Sequence, residues 1–269
     1  MNTLYLQLAT AFIVGGLLIS LQTLLGERVP PFWRGMILTV PTTMSMGFFF
    51  IGLAKSPLDV AQAITIIPAG LGLDYFYVMI FAALSSFGLW ISTSVSVVVW
   101  ILYAALLLRF PPANFIISLV YGLPVVLVSY AIVSRMTHVH TLKAFPMNAR
   151  HILVRSVMGG IVIMLIVLLS KTLGNTWGGL FAVFPATFSS TLFIYYIMQG
   201  RTVIPAVVRS FFFPGSLGFI IYALVAAYTF PPFGIWIGTL LSYAATFLFF
   251  ALYSVIAKRV LRFRPNLVQ

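Results

Sequence analysis

Two prolines interrupt apolar sequence in the same way: Pro41 is followed by Thr43 and Ser45, and Pro185 by Thr187 and Ser189. Inside an apolar helix, proline removes one backbone hydrogen bond and clashes with the preceding turn, so carbonyls near Ile37 and Phe181 need new partners. Lipid tolerates such an opening only where protein or a water-filled cavity faces it. The nearby hydroxyls can either repair the backbone or hold a solute. Thr43, Ser45, Thr187 and Ser189 are therefore the candidate substrate ligands. A second pair of helix breaks is expected at IIPAGLGLDY and FFPGSLGFII. There Pro68 with Gly70 and Gly72, and Pro214 with Gly215 and Gly218, permit unwinding or close helix crossing.

The acidic residues differ in position. Glu27 and Asp59 fall at the ends of apolar runs, whereas Asp74 lies within one. Asp74 is about ten residues, or ~15 Å, from its helix end, and Arg209 is about six residues, or ~9 Å, from its own. At these similar depths the two are expected to meet. The contact is either a structural ion pair or a working one, with Arg209 binding an anionic group and Asp74 carrying a proton; Arg209 could also snorkel to the interface. With no cysteine, thiolate chemistry is excluded, and His138, His140 and His151 cluster without a carboxylate or cysteine nearby. No metal or cofactor is expected beyond proton or sodium coupling. Paired carboxylates and nucleophile–base spacings are lacking, so the chain does not read as an enzyme.

The elements that must position these residues are membrane helices. Of the 269 residues, 62% are hydrophobic and 7% charged, and the mean hydropathy is +1.12. That leaves too little polar surface for a water-soluble globule. Runs of about 20 apolar residues predict nine transmembrane helices, near 4–25, 33–54, 59–84, 87–108, 113–134, 151–171, 177–198, 203–228 and 233–257. The first lacks a basic leader and a persuasive cleavage site and reads as a retained span. Tryptophans near span ends fit an aromatic belt, and Gly15–Gly16 and Gly159–Gly160 fit close helix packing. The net charge of +12 reflects basic residues beside the spans, which orient the chain among membrane lipids; nucleic acid is not an expected partner. The connection from Arg135 to Arg155, with Lys143 and Arg150, reads as cytoplasmic. Alternation then puts the N-terminus outside and the C-terminus in the cytoplasm.

The chain also repeats itself. WRGMILTVPTTMSMGFF from Trp33 aligns with WGGLFAVFPATFSSTLF from Trp177, and FGLWISTSVSVVVWILYAAL from Phe87 with FGIWIGTLLSYAATFLFFAL from Phe233. Residues 1–110 read as a first four-helix repeat, 111–150 as a linker helix with a cytoplasmic loop, and 151–269 as a second four-helix repeat. The single linker crossing turns the second repeat over. Inverted repeats of this kind place equivalent elements back to back at the bilayer midplane, where many secondary transporters bind substrate.

The second copy, LLSKTLGNTWGGLFAVFPATFSSTLFIYYI followed by AVVRSFFFPGSLGFIIY, resembles the GlpM family of small bacterial inner-membrane proteins. The matching residues are Lys171, Thr172, Gly179, Phe184, Pro185, Thr187 and Arg209. The resemblance implies a four-span module in the inner membrane, a link to glycerol-phosphate genes and an association with alginate production.

The expectation is thus a secondary transporter or exporter of a small solute, an anionic group being favoured by Arg209, or of a polar lipid head group. Its site would lie between spans two, three, seven and eight. A passive anion channel and a non-transporting accessory subunit of an envelope-polymer or lipid pathway are the alternatives.

Overall fold

A computed structural model describes residues 2–28, 37, 39–136 and 148–263. Trp33, Arg34, His138, His140, Lys143 and Arg264 lie outside the described residues, as do the side chains of Glu27, Lys258, Arg259 and Arg262. Every regular element among the described residues is helical: α1 (Asn2–Glu27), α2 (Thr42–Ala54), α3 (Pro57–Ile64), α4 (Ile67–Leu84), α5 (Leu89–Arg109), α6 (Phe115–Arg135), α7 (Ala149–Leu173), α8 (Asn175–Ala182), α9 (Ala186–Gln199) and α10 (Ile204–Phe263), with short 3-10 turns after α4 and α9. Helix is the form that satisfies backbone groups within one segment where no water is available.

Seven helical stretches are long and apolar enough to cross a membrane. The last, Phe212–Ile256, runs for 45 residues, about 67 Å of helix against about 30 Å of hydrocarbon. Gly234 breaks it at φ 73°, a conformation that favours glycine, so this stretch has the length for two passes. The outward surface is apolar: Trp90, Trp236, Ile116 and Leu240 stand exposed. Such a surface suits lipid and would be a liability in water. The chain is a multi-pass helical membrane protein.

The core gathers where the broken helices meet α4. Phe48, Ile67, Tyr75, Phe81, Leu180, Val183, Leu192 and Phe212 are buried there. Helices α1 and α7 pack through their paired glycines, which leave no room for a side chain. A Cβ on Gly15 would lie 2.4 Å from Ile163, and one on Gly159 would lie 1.9 Å from Ile19. A Cβ on Gly16 would lie 3.0 Å from the Ser156 carbonyl oxygen, and one on Gly160 would lie 2.7 Å from the Phe12 carbonyl oxygen. As numbers rise along α1 they fall along α7, so the helices are antiparallel.

Several expectations are corrected here. Pro214 does not unwind its helix, because Gly234 is the position inside α10 with non-helical torsions. Pro214 lies inside the helical run of α10. At Pro68 the chain is interrupted between α3 and α4, and Gly72 serves close crossing, with α6 backbone at Gly122 3.1 Å from where its Cβ would stand. Arg155 is not a loop charge: α7 starts at Ala149, capped by Asn148, and carries Arg155 into the interior at 2% exposure.

Candidate functional site

Both Pro-x-Thr-x-Ser stretches break their helices. Pro41 stands at the start of α2 with φ −74° and ψ 54°, and Pro185 at the start of α9 with φ −76° and ψ 46°. The two helices thus begin inside the protein with the same backbone turn. At each start the same hydrogen bonds recur: Thr42 N–H donates to the Val40 carbonyl and Ala186 N–H to the Phe184 carbonyl, each at 2.7 Å.

These starts face each other. The Thr43 and Thr187 hydroxyls are 3.3 Å apart across a sequence separation of 144 residues. The same offset carries Gly15 to Gly159 and Gly16 to Gly160, and it exchanges the Gly15–Ile163 contact with the Gly159–Ile19 contact. Beside the threonines is a cavity of about 20 Å³ lined by Val40, Thr42, Thr43, Asp74, Ala182 and Phe184, with Pro185, Thr187, Phe188 and Phe219 completing the wall. About 10–15 Å³ of such space accommodates one water. In this conformation the cavity therefore fits a particle of one or very few heavy atoms.

Asp74 is 1% exposed and its Oδ1 has no hydrogen-bond partner. Trp100 lies beside its carboxyl, yet the indole N–H does not reach hydrogen-bond geometry. Trp100 is held there by the break itself, its ring edge-on to Phe181 at 5.5 Å and to Phe184 at 5.0 Å. A carboxyl placed against hydroxyls and helix starts, with an oxygen left over, is equipped to exchange a proton or contact a ligand.

The serines turn elsewhere. Ser45 donates to the Thr42 carbonyl at 3.0 Å and bonds the Tyr243 hydroxyl. Ser189 lies 2.6 Å from the Pro185 carbonyl and 3.0 Å from the Tyr77 hydroxyl. Both repair backbone and anchor neighbouring helices, and neither lines the cavity. Arg209 is not brought to Asp74. Its guanidinium donates to the carbonyls of Val133, Ser134 and Met136, at 3.2, 2.7 and 2.5 Å, closing the end of α6. The expected Asp74–Arg209 contact is therefore absent: similar depth did not mean a shared face.

Two residues missed in the sequence support the site. Gln22 donates to the Ile37 carbonyl at 2.7 Å and to the Val40 carbonyl at 3.1 Å, satisfying acceptors freed by the first break. Arg155 donates to Thr191 at 2.9 Å, one turn beyond Thr187, and Thr191 donates in turn to the Thr187 carbonyl at 2.7 Å. Gln22 is a buried amide in an apolar helix, a signal that could have been read. At the far end of α2, Lys55 pairs with Asp59 at 3.6 Å and donates to Asn175 and to the Ser170 carbonyl, joining the two halves of the chain. The Ser56 hydroxyl, then Asn175 and Lys55, hold the Asp59 carboxyl below its ordinary range. Comparison with protein-family models, curated proteins and solved structures finds no match.

Proposed function

We propose that this protein is a secondary transporter or exporter of a small anionic solute or polar lipid head group, with its site at the Thr43–Thr187 cavity. The observation that carries the reading is the meeting of two offset-equivalent threonines, at the starts of two proline-broken helices, beside the buried carboxyl of Asp74. Reciprocal contacts support two inverted four-helix repeats around a linker helix. Parallel repeats would run α1 and α7 in the same direction, whereas these helices are antiparallel. Nine crossings follow if α2 with the residues before it makes the second, α3 with α4 the third, and α10 the last two. The N-terminus is then outside and the C-terminus in the cytoplasm of a cell membrane.

A small cavity between the starts of two broken helices, with two threonines and a carboxyl in its wall, suits a carrier better than a passive anion channel, which needs a continuous path. An accessory subunit of an envelope-polymer or lipid pathway, the role in keeping with the GlpM-like module, needs no polar centre. Asp74 supplies proton coupling in this reading. The purified chain in proteoliposomes is expected to give saturable counterflow of a small anion, tested with chloride and formate. Unsaturable flux would mean a channel, and no flux of any of them would favour the accessory role. A single cysteine at Lys55 should label from outside intact cells and one at Asn148 should not; the opposite pattern would reverse the orientation.

A further inference from the structure

Asp74 brings an unsatisfied acceptor to the central cavity. The residue is 1% exposed, its Oδ1 has no hydrogen-bond partner, and it lines the cavity together with Thr42, Thr43 and Thr187. Arg209, the cation expected to balance it, is committed to the carbonyls at the end of α6. A carboxylate this deep needs an opposite charge or a proton. A proton sits on the carboxyl itself and needs no space beside it. The structure does leave a space there, about 20 Å³, and a single water-sized particle takes about 10–15 Å³.

The threonines bring further oxygens to that space. A hydroxyl keeps two lone pairs whichever way its hydrogen turns. The Thr43 and Thr187 oxygens are 3.3 Å apart, longer than the usual O–H···O bond of about 2.5–3.0 Å. Sodium is close to calcium in size, and two oxygens about 2.3–2.6 Å from such an ion, set at right angles, stand about 3.3–3.7 Å from each other. The separation of the hydroxyls therefore fits two neighbours in one sodium shell. Asp74 is the one carboxylate among the described lining residues, and a single negative charge balances a monovalent ion.

The helix ends pull in both directions. Helices α2 and α9 start at the cavity, and each start carries about half a positive charge. The break before α9 also ends α8 at Ala182, in the cavity wall, and a helix end of that polarity carries about half a negative charge. With the full charge of an ionised Asp74 added, the balance at the cavity is negative. Broken helices that bring such an end and a carboxylate together suit a coupling cation.

We infer that the cavity binds one sodium ion between the Asp74 carboxylate and the hydroxyls of Thr43 and Thr187, in place of the proton that the carboxyl otherwise carries. With this cavity as the transport site, on which the assignment of a coupling role rests, sodium is the ion that crosses with the solute. Its charge cancels that of Asp74, so that an anionic group can approach.

The test uses the full chain in detergent at constant ionic strength, with the chloride salts of sodium, potassium and choline as probes. Sodium should raise the melting temperature along a saturating curve, as a ligand of the folded state does, and about one radioactive sodium ion should be retained per chain. Potassium should need at least about tenfold higher concentration for the same shift, and choline should give none. Thr43→Val and Thr187→Val should each raise the sodium concentration at half-effect by about tenfold. Asp74→Asn should abolish the sodium shift; should that variant not fold, sodium retained by the wild type and weakened in the threonine variants decides. Equal shifts in all three salts, no sodium retained, or sodium binding unchanged in Asp74→Asn overturns the site. In proteoliposomes an inward sodium gradient should drive uptake of chloride or formate with the membrane potential clamped at zero. Saturable uptake indifferent to sodium, by a chain that retains none, overturns the sodium site and leaves the carrier standing. Sodium bound through Asp74 and the threonines without flux of any solute upholds the site and overturns the carrier reading.

Discussion

The hydroxyls of Thr43 and Thr187, 144 residues apart in the chain, lie 3.3 Å from each other at the starts of two helices that both begin after proline. Each hydroxyl is thus a hydrogen-bond partner of the other, and neither can be altered without changing the partner's surroundings.

Replacing either threonine by valine keeps the shape and removes a hydroxyl. Each single change is expected to lower solute affinity by about tenfold, roughly one hydrogen bond, and the double change by less than the product of the two, because they share one contact. Uptake and thermal stability measured for the singles and the double decide this. Full additivity would mean that the hydroxyls act apart.

Arg209 closes the end of α6 through the carbonyls of Val133, Ser134 and Met136. Arg209→Gln should cost about 1.5–3 kcal/mol of stability, since hydrogen bonds to a charged donor are lost. Solute affinity should stay within twofold. A selective loss of affinity in a fully stable variant would return Arg209 to the transport site.

Gly122 sits where α6 crosses the start of α4. A Cβ there would lie 1.8 Å from the Pro68 carbonyl, whereas at Gly15 it would meet the tip of Ile163 at 2.4 Å. Backbone cannot move aside as a side-chain tip can. Gly122→Ala should therefore destabilise by about 1–3 kcal/mol and Gly15→Ala by clearly less, as read from melting in detergent. The Ser118 hydroxyl accepts from the Ala69 amide at the same crossing, at 2.9 Å, so Ser118→Ala should weaken it too.

Asp59 holds its carboxyl proton less tightly when folded, because Ser56, Asn175 and Lys55 favour the charged form. A carboxyl lowered on folding contributes stability above its unfolded pKa, about 3.9, and loses that contribution as pH falls through the lower folded value. Asp59→Asn should thus melt lower than wild type by an amount worth up to about 1 kcal/mol at pH 6. The gap should close as pH drops below about 4. A gap that does not narrow at all as pH falls below about 4 would assign the effect to packing.

Much of this protein is written locally. Lipid offers no partner to a backbone group, so long apolar runs specify helices. A proline followed by hydroxyls specifies where a helix opens, and both breaks at Pro41 and Pro185 stand where the sequence puts them. The paired glycines of α1 and α7 are similarly legible, because close approach leaves few other residue types. Depth can also be counted at about 1.5 Å per residue. The direction in which a side chain points around its helix cannot, since it depends on how every neighbour packs. That is why Asp74 and Arg209, at similar depth, face different partners: one enters the central cavity and the other turns to the end of α6. The same uncertainty hid Trp100 beside Asp74, Gln22 over the first break and Arg155 beneath Thr191. Pro214 shows the converse, a local breaker that lies within a continuous helical path. The sequence by itself determined a membrane-embedded helical chain with two matched openings; tertiary packing alone decided which hydroxyls, amides and charges share the space between them.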